Sequence, residues 1–114
     1  LEAGEEPPPE PVFIEWNGTD AGLPAEGVLP DWVRPGEAHR ARASFADPVR
    51  TVVTPDGWKF NCSPLGEHEL YHLARDPYET RNVFGEERSR ARALRETLAR
   101  RQKRTGDTVP LPVV

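Results

Sequence analysis

The chain has 114 residues, 36% of them hydrophobic, which suits one domain with one modest core. Its single cysteine excludes an internal disulfide and a cysteine-rich zinc site, and no apolar run approaches the roughly 18 residues that a membrane helix needs. The net charge of −4 is uneven, because residues 1–40 carry nine acids against two bases and residues 41–114 carry ten acids against thirteen bases.

The N-terminal part combines a leader, a strand and a long loop. Residues 1–10 are acidic and proline-rich, a composition that predicts a solvated linker. The apolar run from Val12 to Trp16 begins to alternate near its end, which predicts a strand over residues 12–16. No hydrophobic period holds over residues 17–46, so we predict a long loop there. Within this loop, Trp32 and Val33 belong to an apolar patch that could face a partner.

A small basic cluster, His39-Arg40-Ala41-Arg42, lies in the same loop. Two interpretations remain open for it. It is either part of a solvated loop or a cationic rim that contacts an anionic ligand. His39, Arg40 and Arg42 are therefore candidate substrate-rim residues.

The middle of the chain predicts an antiparallel meander over residues 49–73. Residues 49–54 alternate and are β-branched, Pro55-Asp56-Gly57 is typical of a tight turn, and residues 58–62 alternate again. Trp58, Phe60 and Cys62 would share one face of this hairpin. After a turn around Pro64 and Gly66, residues 68–73 predict a third strand.

The C-terminal part predicts a turn, one helix and a tail. Asp76-Pro77-Tyr78-Glu79 has the pattern of a helix start, with Asp76 as N-cap and Glu79 completing a capping box. A longer helix is predicted from about Glu86 to Arg104, with an apolar stripe at Ala91, Leu94 and Leu98. Residues 107–114 predict an extended apolar tail. The predicted fold class is therefore α+β, with a small antiparallel sheet of about four strands packed against one C-terminal helix.

The residues alone predict no catalytic, cofactor or metal site. His68 and His72 would lie about 13 Å apart along a strand, too far for one ion. Residues 86–104 carry eight bases against three acids. We interpret this as a solvated helix face rather than a nucleic-acid surface, because the segment has no aromatic residues and the whole chain is acidic.

An ordered set of short motifs resembles the C-terminal subdomain of sulfatases, in the alkaline phosphatase superfamily. The motifs are Val49-Arg50-Thr51, Trp58-Lys59-Phe60, Glu69-Leu70-Tyr71-His72-Leu73, Asp76-Pro77-Tyr78-Glu79 and Asn82-Val83, followed by a helix. His72 stands where the family usually has aspartate, and Val83 where it usually has leucine. The resemblance covers about residues 49–104, and the strand at 12–16 could be the first strand of the subdomain. We therefore interpret residues 11–106 as this subdomain.

The resemblance implies a structural, non-catalytic role in a sulfuric ester hydrolase, as support and as one wall of the substrate cleft. The parent enzyme would use calcium and a formylglycine, both held by an N-terminal catalytic domain that would be the partner of this chain. Cys62-Ser63-Pro64 begins like the formylglycine motif, but Gly66 stands where that motif needs arginine. We therefore interpret Cys62 as a strand-end residue.

Two alternatives remain open. The same kind of subdomain occurs in phosphonate and phosphate ester hydrolases of that superfamily, and a free-standing binding module is the other. The sequence contains no methionine, so we expect a processed chain, a cut-out domain or a piece of a longer protein. We expect neither nucleic acid nor membrane as partners. Expressed alone, the chain should self-associate or leave its tail disordered.

Overall fold

The computed structural model describes residues 10–17 and 46–114. Within these residues, a four-stranded antiparallel sheet packs against one long C-terminal helix. The strands lie side by side in chain order and are β1 (Val12–Glu15), β2 (Arg50–Val53), β3 (Trp58–Cys62) and β4 (Glu69–His72). The helix α1 spans Arg88–Thr105. The predicted α+β class, the meander and the first strand are confirmed.

The strand register decides which side chains meet the helix. Phe13, Val52, Phe60 and Leu70 are cross-strand partners in one row across the four strands. Val52, Phe60 and Leu70 are fully buried, and Phe13 packs against the core that they form. Because side chains alternate along a strand, this row fixes one face of the sheet as the buried face.

The hairpin between β2 and β3 depends on Gly57. Its φ of +90° lies in the left-handed region, and a Cβ there would stand 3.1 Å from the Cβ of Ala74. Both the backbone conformation and the close approach therefore favour glycine. The predicted common face of Trp58, Phe60 and Cys62 is confirmed, since Phe60 and Cys62 lie in the core and Trp58 packs against it.

Helix α1 closes the buried face with the predicted stripe. Ala91, Leu94 and Leu98 are the buried residues of the helix. Gly106 ends it in the left-handed conformation, at φ 73°, and donates its N–H to the carbonyl of Gln102. No helix among the described residues is long and apolar enough to span a membrane.

The predicted capping box at Asp76 is wrong. The carboxylate of Asp76 accepts hydrogen bonds from the N–H groups of Thr80 and Arg81, which lie in a non-helical turn. Glu79 has a φ of 55°, outside the helical region, and its carboxylate accepts from Lys59 Nζ at 2.6 Å. The segment forms a closed loop because Val83 must return to donate its N–H to the carbonyl of Leu70, and α1 starts only at Arg88.

The prediction that the C-terminal tail offers its apolar residues to a partner is wrong for two of them. Val114 is 7% exposed and belongs to the core, and Leu111 packs against it. Arg92 Nε donates to the carbonyl of Val114 at 2.9 Å, and Arg95 Nε donates to the carbonyl of Pro112 at 2.7 Å. Arginines of the helix thus hold the tail along α1. Of the four apolar residues predicted to face a partner, Val109, Leu111, Val113 and Val114, only Val113 is strongly exposed.

Candidate functional site

Cys62 ends β3 in the core, where it is fully buried. Burial raises the pKa of its thiol to about 11, although the charge of Arg95 acts in the opposite direction. A thiol with this pKa is protonated at neutral pH, and only the thiolate is a good nucleophile. The environment therefore agrees with the interpretation of Cys62 as a strand-end core residue.

Asp47, Ser63 and the half-buried His68 form a polar cluster at the start of the β3–β4 turn. The hydroxyl of Ser63 donates to Asp47 Oδ2, and the backbone N–H of Ser63 donates to His68 Nδ1 at 3.0 Å. Ser63 is only 1% exposed. The imidazole thus accepts from the backbone rather than from the hydroxyl, so the geometry of an activated serine is absent from this cluster.

The same cluster fixes the state of His68. Since Nδ1 accepts a hydrogen bond, the neutral ring carries its proton on Nε2. Burial lowers the pKa of His68, and the positive charge of Arg88 lowers it further. The ring also lies 5.1 Å from that of Phe84. His68 is therefore a neutral residue that closes a turn. The sequence did not indicate Asp47, whose role depends on a contact sixteen residues away.

His72 lies in a different environment. Its ring stacks on that of Trp58 with centroids 4.2 Å apart and planes 7° apart, and the guanidinium of Arg90 lies 4.1 Å from the Trp58 centroid. The two histidines thus serve separate contacts. Within residues 10–17 and 46–114, no group of three His, Cys, Asp or Glu side chains could hold a metal ion.

The polar residues of the resemblance motifs are used in structural contacts. Arg50 makes a two-point ion pair with Asp107, with Nε to Oδ2 at 2.6 Å and Nη2 to Oδ1 at 3.1 Å. The side chains of Arg50 and Asp107 are 5% and 12% exposed, so this pair joins β2 to the segment after α1 largely out of water. Lys59, from the next strand, pairs with Glu79.

Asn82 completes this set of contacts. Its Oδ1 accepts from the N–H groups of Leu70 and Phe84, both at 3.0 Å, and its Nδ2 donates to the carbonyl of His68 at 3.1 Å. One side chain thus joins β4 to the segment that leads into α1. Asp76 and Asn82 thus turn the chain from β4 towards α1, although the turn is not a helix start.

A basic groove with a volume of about 670 Å³ lies between β1 and α1. We define it by Phe13 of β1 and by Arg100, Arg101, Lys103 and Arg104 of α1. Among the described residues that line it, Glu10 is the only acidic one. The sequence predicted a solvated basic face here, and it missed the groove because Phe13 lies far from the arginines along the chain.

The opposite face of the sheet carries an apolar stripe on β1 and just after it. Val12, Ile14 and Trp16 alternate with the inward-facing Phe13 and are 58%, 49% and 49% exposed. Cross-strand contacts on this face are partly polar, as in the hydrogen bond of 2.7 Å from Thr51 Oγ1 to Asn61 Oδ1. This stripe, which we call the β1 stripe, is a candidate docking surface.

Several predicted residues lie outside the described ranges. They are the candidate rim residues His39, Arg40 and Arg42, the loop residues Trp32 and Val33, and almost all of the acidic leader. Comparisons of the chain with protein families, with curated proteins and with solved structures gave no match.

Proposed function

We propose that this chain is the C-terminal, non-catalytic subdomain of a sulfatase-like sulfuric ester hydrolase. The main support for the proposal is that polar residues of these motifs make contacts within the fold. Arg50, Lys59, Asp76 and Asn82 each hold two separate parts of the fold together, through the contacts with Asp107, Glu79, the turn at 80–81 and β4. This is the role that the resemblance to a sulfatase C-terminal subdomain implies.

The distribution of reactive groups supports a non-catalytic role. Cys62 is buried with a raised pKa, and Ser63 is almost inaccessible. In this proposal the calcium and the formylglycine belong to the catalytic domain of the parent enzyme. The described residues do not fit a calcium site, because they bring no carboxylate cluster together. What the chain supplies is a rigid support.

The β1 stripe supports a docked arrangement. It is apolar, it lies on the sheet face away from α1, and a catalytic domain of the same polypeptide could cover it. The same arrangement would serve a phosphonate or phosphate ester hydrolase of that superfamily. Only the motif resemblance favours a sulfate ester as the substrate.

The decisive experiment is to sequence the gene upstream of the codon for Leu1. We expect an open reading frame that continues into a catalytic domain with a cysteine, a small residue, a proline, any residue and an arginine in order. An upstream domain with another nucleophile would favour the phosphate or phosphonate alternative. An initiator codon directly before Leu1 would contradict the proposal and favour a free-standing module.

An activity assay provides an independent check. The isolated chain should not hydrolyse 4-nitrophenyl sulfate or 4-nitrophenyl phosphate, with or without calcium, because Cys62 and Ser63 are buried and no described group of side chains could hold a metal ion. Turnover that disappears in Cys62→Ala would overturn the non-catalytic assignment.

A further inference from the structure

We propose that two copies of this chain pair along the outer edge of β1, so that their two four-stranded sheets form one antiparallel sheet of eight strands. The outer edge is the side of β1 that faces away from β2. The partner is a second copy of the same chain, related to the first by a two-fold axis through the middle of the paired β1 strands. This inference does not rest on the proposed function.

The two edges of the described sheet differ in how their backbone groups are satisfied. On β4, the carbonyl of Leu70 accepts from the N–H of Val83 at 2.8 Å, and the N–H of Leu70 donates to Asn82 Oδ1 at 3.0 Å. The segment after β4 thus covers that edge. On β1, at the other end of the strand order, no described residue plays this part. An edge strand with free donors and acceptors pairs readily with another strand.

The strand register identifies the backbone groups on the open edge. Trp16 donates its N–H to the carbonyl of Val49 at 3.0 Å, on the side of β2. Because the direction of the backbone groups alternates along an antiparallel strand, Ile14 also faces β2, whereas the N–H and C=O groups of Phe13 and Glu15 face outwards. Within the described part of the chain, no group bonds to them. The open edge therefore offers two donors and two acceptors in strand geometry.

One register satisfies all of these groups and also pairs the β1 stripe with itself. If Phe13 of one copy lies opposite Glu15 of the other, the two residues exchange both of their hydrogen bonds, and the two-fold axis repeats the exchange. Ile14 then faces Ile14 of the second copy in a non-hydrogen-bonded pair, where side chains approach most closely. Val12 faces Trp16 in the same way. The stripe residues, which are 49–58% exposed, thus form one continuous apolar row across the dimer.

The two neighbouring registers are less favourable. A shift in one direction places Glu15 opposite Glu15 of the second copy, and like charges directly opposite each other are destabilising. A shift in the other direction places Pro11 opposite Glu15, and proline has no N–H to donate. It also places the exposed ring of Trp16 opposite Glu10. The register centred on Ile14 is therefore the self-complementary one.

Charge complementarity favours the same register. The guanidinium of Arg101 lies 5.0 Å from the centroid of Phe13. Neither Arg101 nor Glu15 takes part in an ion pair with another described residue. Because Glu15 of the second copy lies opposite Phe13 in this register, its carboxylate comes beside Arg101, at the basic groove. Each copy thus supplies an acidic side chain to the basic groove of the other.

The position of α1 leaves room for the second copy. The helix packs mainly over β2 and β3. In the dimer, four strand spacings of about 4.8 Å separate the two helices, so their axes lie about 19 Å apart, well beyond the roughly 8–10 Å of packed helices. The two copies therefore pair without a clash between helices. Since each copy has one open edge in its described sheet, the assembly closes as a dimer.

The first test is sedimentation equilibrium of the whole chain. We expect the molar mass to rise with concentration and to level off at twice the 12.8 kDa of the monomer. Glu15→Pro removes an outward donor but no hydrogen bond to β2, so it should stay monomeric where the native chain is dimeric, with an unchanged circular dichroism spectrum. Glu15→Gln is the matched control. It keeps the donor and should weaken the dimer by about tenfold at most, since only two exposed ion pairs are lost.

Disulfide formation tests the register. Cys62 is the single cysteine of the chain and is fully buried, so an added cysteine supplies the accessible thiol. Ile14→Cys places two thiols at the two-fold axis, where Cα atoms about 4.5 Å apart permit a disulfide. Val12→Cys is the matched control. Its position is similarly exposed, but its two copies lie about 13 Å apart along the paired strands. Under mild oxidation, Ile14→Cys should form the covalent dimer about tenfold faster.

Three results would overturn the proposal. The first is a native chain that stays monomeric or grows beyond the dimer. The second is a folded Glu15→Pro variant that dimerises as well as Glu15→Gln. The third is an equal rate of disulfide formation for Ile14→Cys and Val12→Cys, which would indicate random collision. If Glu15→Pro does not fold, the two cysteine variants still decide, because both substitutions lie at exposed positions.

Discussion

At the scale of single residues, the ion pair of Arg50 and Asp107 is the contact whose loss should matter most. Breaking a buried pair leaves an uncompensated charge, so Asp107→Ala should lower the free energy of unfolding by about 3 kcal/mol. Urea unfolding at pH 7 measures this. Glu87→Ala is the matched control, because Glu87 is exposed and makes no capping hydrogen bond. Equal midpoints for the two variants would contradict the role of the pair.

The same pair predicts a dependence on pH. The hydrogen bonds from Arg50, and then those from Gln102 and Val109, lower the pKa of Asp107 against the opposing effect of burial. Its contribution to stability is therefore fully present above the unfolded pKa of about 3.9, and it is lost as pH falls towards the lower folded pKa. Between pH 6 and pH 2.5 the native chain should lose more stability than Asp107→Asn. Parallel losses would contradict the assignment.

At the scale of elements, the turn after β4 depends on Asp76. Its carboxylate accepts from two backbone N–H groups and from the hydroxyl of Thr80, and these bonds lower its pKa. Asp76→Ala should lower the midpoint of urea unfolding, and Asp76→Asn should lower it less because an acceptor oxygen remains. Glu86→Ala, which removes only the exposed pair with Arg81, is the control. An unchanged midpoint for Asp76→Ala would show that the turn closes without it.

The tail offers a pair of neighbouring valines with opposite environments. Val114 is 7% exposed and Val113 is 91% exposed. Removing buried methyl groups costs transfer energy and leaves a cavity, so Val114→Ala should lower the free energy of unfolding by about 1–2 kcal/mol. Val113→Ala should stay within about 0.5 kcal/mol of the native chain. Equal effects in chemical denaturation would mean that the tail is not part of the core.

The sequence predicted elements well where the signal is local. Alternation and turn-forming residues predicted the β2–β3 hairpin, and helical spacing predicted the stripe of Ala91, Leu94 and Leu98. Both signals come from residues close together in the chain, and both elements are present in the structure. The helix start at Asp76 was predicted wrongly because an aspartate that caps a helix and one that closes a loop have similar neighbours. Only the return of Val83 to β4 separates them.

At the scale of the whole molecule, the groove and the polar cluster could not be predicted. Phe13 and Arg101 meet only because β1 pairs with β2 and α1 covers the resulting face. Asp47 lies just before β2 and Ser63 just after β3, so these two residues meet only because the two strands pair. Such contacts leave no periodicity and no motif in the sequence, so the sequence alone does not show that these residues are neighbours.

The exposed apolar β1 stripe predicts that the chain associates with itself when it is expressed alone. The β1 stripe exposes Ile14 next to an edge of the described sheet, where an unpaired strand can associate with another copy. We expect the chain expressed alone to show a molar mass that rises with concentration in sedimentation equilibrium. Ile14→Lys should shift this equilibrium towards the monomer with little effect on the thermal midpoint, because a charge on an edge strand opposes pairing.

The control for this prediction is Leu65→Lys. Leu65 is 51% exposed, close to the value for Ile14, but it lies in the β3–β4 turn rather than in the β1 stripe. Equal dissociation in both variants would mean that added charge alone disperses the chain. A strictly monomeric native chain at all concentrations would remove the argument that the β1 stripe is covered by a partner. If Ile14→Lys alone produces monomers, the stripe is the self-associating surface. Under the proposed function, a catalytic domain docked on the stripe should then suppress the association.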